Sequence, residues 1–159
     1  MLVWKRLKCL RPAQLIKLSG FFIKQPLYIF PTYGATETTL STCNDKFGRE
    51  HHLNNKANAF RHALWNFILC SRYYRVSGSL DTSVMKCKKI TDLHEELMPN
   101  EQTARLMDLH NNNIGRSLFL MNQDIDIISR LEQMLPDAIK INQSTDLDKI
   151  KNRLVYLED

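Results

Sequence analysis

The sequence predicts an all-α fold, a single compact domain of five to seven helices. Apolar residues recur at helical spacing over most of the 159 residues, and neither an alternating strand pattern nor a hairpin signal occurs. A hydrophobic content of 43% is enough to fill one core. We expect a basic amphipathic segment over residues 1–25 and the helical domain over residues 26–159.

Proline and glycine delimit the first two predicted helices. Pro12 suits a first helical turn and Pro26 prevents continuation, which predicts a helix over about 12–23. A second helix is expected from about Pro31 to Gly48, because glycine readily adopts the left-handed conformation that ends a helix.

Asparagine and aspartate mark the starts of the next two helices. Asn55 is a favoured cap for the most apolar helix of the chain, which is expected to reach about Tyr74. Asp81 is the expected cap of a fourth helix that reaches Met98, where Pro99 ends it.

The C-terminal part of the chain is also predicted to be helical. Asn100 can cap a fifth helix over 101–121, within which Gly115 marks close packing because the apolar periodicity continues past it. The two remaining predicted helices lie between Asp124 and Pro136 and, after a capping box of Thr145 and Asp148, up to about Val155. The final residues, LVYLED, fit either a helix end or a short strand.

Charge is distributed unevenly along the chain. The basic residues that precede the first acidic residue, Glu37, are Lys5, Arg6, Lys8, Arg11, Lys17 and Lys24. The last 36 residues instead carry eight acidic and five basic side chains. This distribution does not fit a nucleic-acid footprint over the whole surface, so nucleic acid is not an expected partner.

The N-terminal segment and the cysteines bear on localisation. Cationic and aromatic residues alternate over residues 1–30, which fits peripheral membrane contact; the alternative is a helix that packs its apolar side on the core. No transmembrane helix is predicted. The four cysteines have no CxxC spacing, so we expect reduced, mostly buried thiols and a cytoplasmic protein.

Polar side chains interrupt the apolar third helix at regular spacing. Asn58, His62 and Asn66 fall at i, i+4 and i+8, so they form one polar ridge on a helix otherwise built to be buried. Buried amide and imidazole groups require partners. We expect those partners to be other side chains, water, a metal ion or a substrate.

Two later helices are predicted to direct further histidines inward. His94 lies in the middle of the apolar stripe of the fourth helix, with Glu95 at the edge of that stripe. His110 falls among the apolar residues of the fifth helix. The polar strip beside it is formed by Asp108, Asn111 and Asn112.

If these helices converge, the residues suit a divalent-metal site. The predicted ligands are His62, His94 and His110, because neutral imidazole together with carboxylate suits zinc, manganese or iron. Glu95 or Asp108 completes the site or positions water. The side chains expected to bind substrate or orient ligands are Asn58, Arg61, Trp65, Asn66, Asn111, Asn112 and Arg116.

The same residues also suit metal-free catalysis. One histidine can act as nucleophile or general base, a carboxylate can fix its tautomer, and Arg61 or Arg116 can hold a phosphate. For any single inward histidine, a structural role in helix packing is the commoner interpretation, and three histidines from three helices favour a site. The spacing does not choose between metal and metal-free chemistry.

The sequence lacks the motifs of the best-marked enzyme classes, since no HExxH, P-loop, GxSxG or GxGxxG pattern occurs. The order of His62, His94 with Glu95, and Asp108 is similar to the histidine-aspartate signature of metal-dependent phosphohydrolases. It departs from that signature because a glutamate replaces the first aspartate and the spacing to the second is shorter.

Two longer motifs carry a resemblance to a known family. NAFRHALWN (58–66) and MDLHNNNIGR (107–116), with LHE (93–95) between them, resemble an uncharacterised family of bacterial domains of unknown function. Members occur as small stand-alone proteins and within larger, sometimes toxin-like, polypeptides. The resemblance covers about residues 26–120, and it implies a helical domain with a shared polar site but no particular reaction.

We therefore expect a hydrolase-like helical domain with a buried His/Asn/acid pocket. The expected substrate is a small-molecule phosphoester or a lipid-linked compound near a membrane surface. The expected catalytic residues are His62, His94, Glu95, Asp108 and His110. The alternative is a non-enzymatic interaction or membrane-surface module whose buried His/Asn network is structural. The sequence determines neither the substrate nor the oligomeric state.

Overall fold

A computed structural model describes residues 12–97 and 101–158, and across them the all-α prediction is confirmed. This part of the chain contains six α-helices and two strands of two residues each. The helices are α1 (Pro12–Ile23), α2 (Ile29–Phe47), α3 (Lys56–Ser77), α4 (Leu80–Leu97), α5 (Gln102–Met121) and α6 (Ile127–Met134). Short 3-10 helices span Pro26–Tyr28, Glu50–His52 and Ser144–Lys149, and the strands are β1 (Ile139–Lys140) and β2 (Val155–Tyr156).

Helix α3 lies at the centre of the fold, in contact with α2, α4, α5 and α6. Several of its large apolar side chains, among them Phe60, Leu64 and Tyr73, are fully buried. Each such burial stabilises the fold by about 1.5–3 kcal/mol. The prediction that this helix is built to be buried is confirmed, and the polar groups on its buried faces must therefore find partners within the protein.

Helices α5 and α3 approach each other closely at Gly115. A Cβ built on Gly115 would lie 2.1 Å from the carbonyl oxygen of Ala63, a distance that no side chain tolerates. The prediction that Gly115 marks close packing is confirmed. This contact brings the polar residues of α5 next to the polar ridge of α3.

Several helix ends differ from the predicted ones. Helix α3 continues to Ser77 because the left-handed residue that ends it is Gly78 (φ 65°). The predicted cap Asp81 is wrong: it lies in the first turn of α4, and Ser79 Oγ instead accepts a hydrogen bond from the Thr82 N–H at 3.3 Å. The expected cap Asn100 lies outside the described residues.

The C-terminal segment is not the helix that was predicted. Residues Ser144–Lys149 form a 3-10 helix whose capping box is made by Gln143 and Asp146, two residues before the predicted Thr145 and Asp148. Val155 lies in β2, which pairs in parallel with β1 through Ile139↔Val155 and Lys140↔Tyr156. Of the two possibilities left open for LVYLED, the short strand is the one formed.

Helix α1 packs only part of its apolar surface on the core. Phe21 and Phe22 contact the core, whereas Ile16 and Ile23 are at least 70% exposed. Among the described helices, none combines the length and the hydropathy needed to cross a membrane. The described cysteines, Cys43, Cys70 and Cys87, are buried free thiols as predicted, and Cys9 lies outside the described residues.

Candidate functional site: a buried histidine and carboxylate group

Three helices each contribute one ionisable side chain to a buried group. His62 of α3, Glu95 of α4 and Asp108 of α5 place one nitrogen or oxygen atom each within 4.8 Å of the others. Each residue is at most 3% exposed. Buried ionisable groups are costly unless they are paired, so their convergence from separate helices indicates a constructed site rather than a chance surface cluster.

A hydrogen-bond network behind this group has only one consistent set of donors and acceptors. The Arg116 guanidinium donates to Asn66 Oδ1 at 2.8 Å, and a guanidinium cannot accept. Asn66 Nδ2 donates to the His62 carbonyl at 3.0 Å, and a carbonyl cannot donate. Both contacts fix the orientation of the Asn66 amide.

The orientation of Asn66 determines that of Asn112 and then the tautomer of His62. Asn66 Nδ2 donates to Asn112 Oδ1 at 2.6 Å, so Asn112 turns its Nδ2 to Glu95 Oε1, 3.0 Å away. His62 Nδ1 lies 3.0 Å from Asn112 Oδ1, which accepts only, and Nδ1 must therefore carry a proton. Glu95 Oε1 is a further 3.5 Å neighbour of Nδ1.

The other nitrogen of His62 faces a cation and a carboxylate. Arg61 Nη2 lies 2.8 Å from His62 Nε2, and because Arg61 only donates, Nε2 acts as the acceptor. Asp108 Oδ1 lies 3.3 Å from the same nitrogen. This pattern of donors and acceptors fits a neutral His62 imidazole whose Nε2 accepts from Arg61, with Asp108 Oδ1 beside the same nitrogen.

The electrostatics of the site are dominated by the burial of Glu95. Burial, followed by the nearby carboxylate of Asp108, raises the pKa of Glu95 to about 8. The hydrogen bond from Asn112 and the charges of Arg61 and Arg105 act in the opposite direction. At neutral pH, Glu95 thus holds a proton when only protein groups surround it.

Arg61 and Asn58 connect the site to the loop that precedes α3. Asn58 Nδ2 donates to the Leu53 carbonyl at 2.6 Å, and Arg61 donates to the carbonyl of His51 and to Asn58 Oδ1 at 3.3 Å. Arg61 is half-buried, so it lies between the buried group and the surface. His51 itself is fully buried, and its Nε2 lies 2.9 Å from Asn44 Oδ1.

His94 lies outside the buried group. Its half-buried ring contacts Trp65 edge-on at 5.1 Å between ring centroids, and the Trp65 Nε1–H donates to Thr36 Oγ1 at 3.0 Å. The sequence analysis predicted that His94 faces the core and that Glu95 lies at the edge of the buried face. The buried face is shifted by about one residue, because Glu95 is buried and His94 is only half-buried. The cause is that Thr91 and Ser83 belong to the buried face although they are polar.

His110 and Asn111 face the C-terminal strand instead of the site. His110 Nε2 lies 2.9 Å from the Arg153 carbonyl oxygen. Asn111 bonds to both backbone groups of Val155, as donor to its oxygen at 2.9 Å and as acceptor from its nitrogen at 3.0 Å. The predicted ligand set of His62, His94 and His110 must therefore be corrected to one histidine and two carboxylates.

The sequence analysis missed two polar participants on α4. Thr91 Oγ1 lies 3.3 Å from both Asn66 Oδ1 and Arg116 Nη1, and the Cys87 thiol lies 3.4 Å from Asn66 Oδ1. Both residues are fully buried. Their i, i+4 spacing with Glu95 at i+8 was the signal that could have identified them, since it repeats the ridge spacing of α3.

Fold and site together define a helical domain with a buried histidine and carboxylate group held by an asparagine network. The family model described as Domain of unknown function (DUF6973) matches residues 19–143, so the chain belongs to that family. The match extends beyond the 26–120 over which the sequence motifs suggested a family resemblance. Neither the curated proteins nor the solved structures provide a match to the chain.

Proposed function

We propose that this protein is a hydrolase whose active site is the group formed by His62, Glu95 and Asp108, and whose substrate is a phosphoester. The observation that carries the proposal is the convergence of these three buried side chains within 4.8 Å, from three different helices. Structural helix packing does not require two carboxylates side by side, because apolar residues of similar size usually stabilise a core at least as well.

The proposed reaction is the attack of a water molecule on phosphorus. As the new P–O bond forms, the ester P–O bond breaks, a site carboxylate takes the proton of the water, and the departing alkoxide takes a proton from solvent. Asp108, which faces the lone-pair side of His62, is the best placed carboxylate for this role. Asn112 and Asn66 hold the imidazole so that its lone pair stays on that side.

Arg61 supports a phosphoester rather than an uncharged substrate. It places a guanidinium at the edge of the group, half-buried and 2.8 Å from His62 Nε2. A guanidinium binds two phosphate oxygens at once, with the geometry that anionic esters require. Both a soluble phosphodiester and a lipid-linked phosphoester contain this chemistry.

The experiment that tests the proposal is a comparison of model esters. We expect the protein to release nitrophenolate from bis(4-nitrophenyl) phosphate and to leave 4-nitrophenyl acetate at its background rate. Asp108→Asn and His62→Gln should each lower kcat/KM by about 10²–10³-fold. His110→Gln is the matched control, because that ring faces the strand, and should stay within about twofold of the natural protein.

The result that contradicts the proposal is equally specific. If no phosphoester in a panel of monoesters, diesters and lipid-linked diesters is hydrolysed by well-folded protein, the hydrolase proposal is wrong. The buried network then has the structural role that its many internal hydrogen bonds also fit, as the core of a non-enzymatic interaction module.

We also propose that residues 1–30 contact an anionic membrane surface. Four apolar side chains in the described part of this segment are at least 70% exposed: Ile16, Ile23, Leu27 and Phe30. The six basic residues that precede Glu37 provide the complementary charge for anionic lipids. A membrane-surface position would give the site access to lipid-linked phosphoesters.

Vesicle sedimentation tests this second proposal. The protein should bind vesicles that contain phosphatidylglycerol and bind those of phosphatidylcholine alone at least tenfold more weakly. Ile23→Ser combined with Phe30→Ser should weaken binding at least tenfold. Met121→Ser removes an equally exposed apolar side chain (71%) on α5 and should have no effect. Equal binding by both variants would contradict the proposal.

A further inference from the structure

We propose that His62, Glu95 and Asp108 bind one divalent transition-metal cation, Zn²⁺ or Mn²⁺. This inference shares its side chains with the proposed hydrolase function, and cation binding can be measured without any substrate. It replaces the three-imidazole site predicted from the sequence with one nitrogen ligand and two carboxylates from α3, α4 and α5. The argument uses the donor atoms, the imidazole tautomer and the charge balance.

The donor set suits a cation of this class. Imidazole nitrogen is a common ligand of zinc, and carboxylate oxygen is a common ligand of both zinc and manganese. Two ligand atoms on one tetrahedral zinc lie about 3.3–3.5 Å apart, given bond lengths near 2.0–2.1 Å. The separation of 3.3 Å between His62 Nε2 and Asp108 Oδ1 fits that spacing.

The tautomer of His62 is the one that a metal ligand requires. Histidines that bind metals present the lone pair of one nitrogen and donate the other N–H to a carbonyl or carboxylate oxygen. His62 does so, because Asn112 Oδ1 accepts the proton of Nδ1 at 3.0 Å and the lone pair of Nε2 faces Asp108. Arg116 and Asn66 fix this arrangement from behind.

Charge balance also favours a dication. A bound dication would displace the proton of Glu95, and the two carboxylates would then supply two negative charges beside a neutral imidazole. The carboxylates are buried, at most 3% exposed, so bulk water does not screen their repulsion. Glu95 has a second oxygen besides the one that accepts from Asn112, and that oxygen can act as its ligand atom.

Arg61 competes with the cation for the same lone pair. His62 Nε2 has a single lone pair, and Arg61 Nη2 donates to it at 2.8 Å. When a cation takes that lone pair, Arg61 must withdraw, while its other nitrogen can keep its bond to the His51 carbonyl. The released guanidinium nitrogen would then lie next to the cation, where a substrate phosphate would bind.

Titration calorimetry of the chelator-treated full chain with ZnCl₂ and with MnCl₂ tests the inference. We expect one cation per chain, at least 30-fold weaker binding for Asp108→Asn and for His62→Gln, and unchanged binding for His110→Gln. Arg61→Gln should bind Zn²⁺ several-fold more tightly, because the competitor is removed. Far-ultraviolet circular dichroism of each variant verifies that it is folded.

Co²⁺ absorption provides a measurement that needs no variant. Bound Co²⁺ in this site should show d–d bands of a nitrogen and oxygen environment, without the intense sulfur-to-metal charge-transfer band of a cysteine ligand. Absence of saturable binding to the natural protein would overturn the inference, as would a charge-transfer band or equal binding by Asp108→Asn. Hydrolysis by a protein that shows no saturable cation binding would overturn the inference while leaving the proposed function in place. Cation binding without hydrolysis would leave the inference in place and contradict the proposed function.

Discussion

Helix α5 carries two polar clusters on adjoining faces, and their hydrogen-bond partners differ in kind. The strand-facing cluster, His110 and Asn111, bonds to backbone groups of Arg153 and Val155. The site-facing cluster, Asp108, Asn112 and Arg116, bonds to side chains. The two asparagines are neighbours in the sequence, yet one completes a strand and the other positions a histidine.

This difference in partners distinguishes the cluster with a structural role from the cluster that is able to perform chemistry. Backbone groups do not titrate near neutral pH, and those of Arg153 and Val155 already bond to His110 and Asn111, so we expect the strand-facing cluster to hold the C-terminal segment on α5. The side-chain partners of the site-facing cluster include His62 and Glu95, which are able to bind protons, metal ions or substrate. Function is therefore expected to follow the site-facing cluster alone.

The largest expected effect comes from disrupting the contact between α5 and α3, the helix contact that positions both clusters. Gly115→Ala would place a Cβ 2.1 Å from the Ala63 carbonyl oxygen, a backbone atom that cannot move aside without shifting α3. We expect a loss of at least about 3 kcal/mol in the free energy of unfolding, measured with urea. Gly20→Ala is the matched control: nothing lies within 4 Å of its Cβ, so stability should be unchanged or slightly higher.

The pH dependence of stability should come from the site-facing cluster. The pKa of Glu95 is raised from 4.5 to about 8, so the folded protein binds a proton that the unfolded chain has lost between these values. This contribution to stability is complete below about pH 4.5 and is lost as the pH rises through about 8. Metal-free protein should lose about 2–3 kcal/mol over this range, allowing for relaxation of the buried carboxyl group.

Replacement by glutamine isolates this contribution. Glu95→Gln cannot lose a proton, so the decline in unfolding free energy between pH 5 and 8 should largely vanish in urea titrations of that variant. An equally steep decline in Glu95→Gln would assign the pH dependence to other groups and contradict the assigned environment of Glu95.

The two neighbouring asparagines provide the most selective comparison. Asn111→Ala removes two hydrogen bonds to the Val155 backbone and leaves buried groups unsatisfied, so we expect a loss of about 2 kcal/mol in stability. Its affinity for Zn²⁺ should stay unchanged. Asn112→Ala should lower that affinity by about 10–100-fold, because Asn112 orients His62. Calorimetry of both variants would refute the division into clusters if their zinc affinities changed equally.

The smallest expected effect concerns His110. His110 Nε2 bonds to the Arg153 carbonyl and the ring is partly exposed, so His110→Ala should cost about 1 kcal/mol or less in stability. Proteolysis of the native protein should then cut the C-terminal segment faster, since that segment is held less firmly on α5. A loss of hydrolysis instead would place His110 in the site and contradict the comparison.

The sequence predicted the helices well because helical periodicity is local. The span of α1 was predicted to the residue, and Gly48 ends α2 as expected, with a positive φ of 57° but not in the left-handed helical conformation. β1 was not predicted and β2 was only one of two possibilities for LVYLED, because two residues are too few to show alternation and because the partners of Val155, Ile139 and Asn111, are distant in the sequence. The N-terminal cap of α4 was predicted less accurately, because Ser79 and Asp81 are both residue types that favour the cap position.

The site was predicted in part, and the errors have one physical origin. Polar residues on a helix resemble a solvent-facing strip when their partners are unknown, so Thr91 and Cys87 were overlooked and His94 was assigned the buried position of Glu95. Asn111 and Asn112 are likewise indistinguishable until the packing of α5 is known. The polar ridge of α3 was identifiable because its apolar surroundings left no solvent-facing alternative.

The tautomer of His62 in metal-free protein at pH 7 tests the central claim most directly. Two-bond proton–nitrogen correlation spectra of ¹⁵N-labelled protein, assigned with His62→Gln, would distinguish its two nitrogens. We predict a proton on Nδ1, which donates to Asn112, and an unprotonated Nε2 that faces Arg61 and Asp108. An imidazolium with both nitrogens protonated would make His62 the centre of a structural ion pair with Glu95 and Asp108, and would contradict a prepared site.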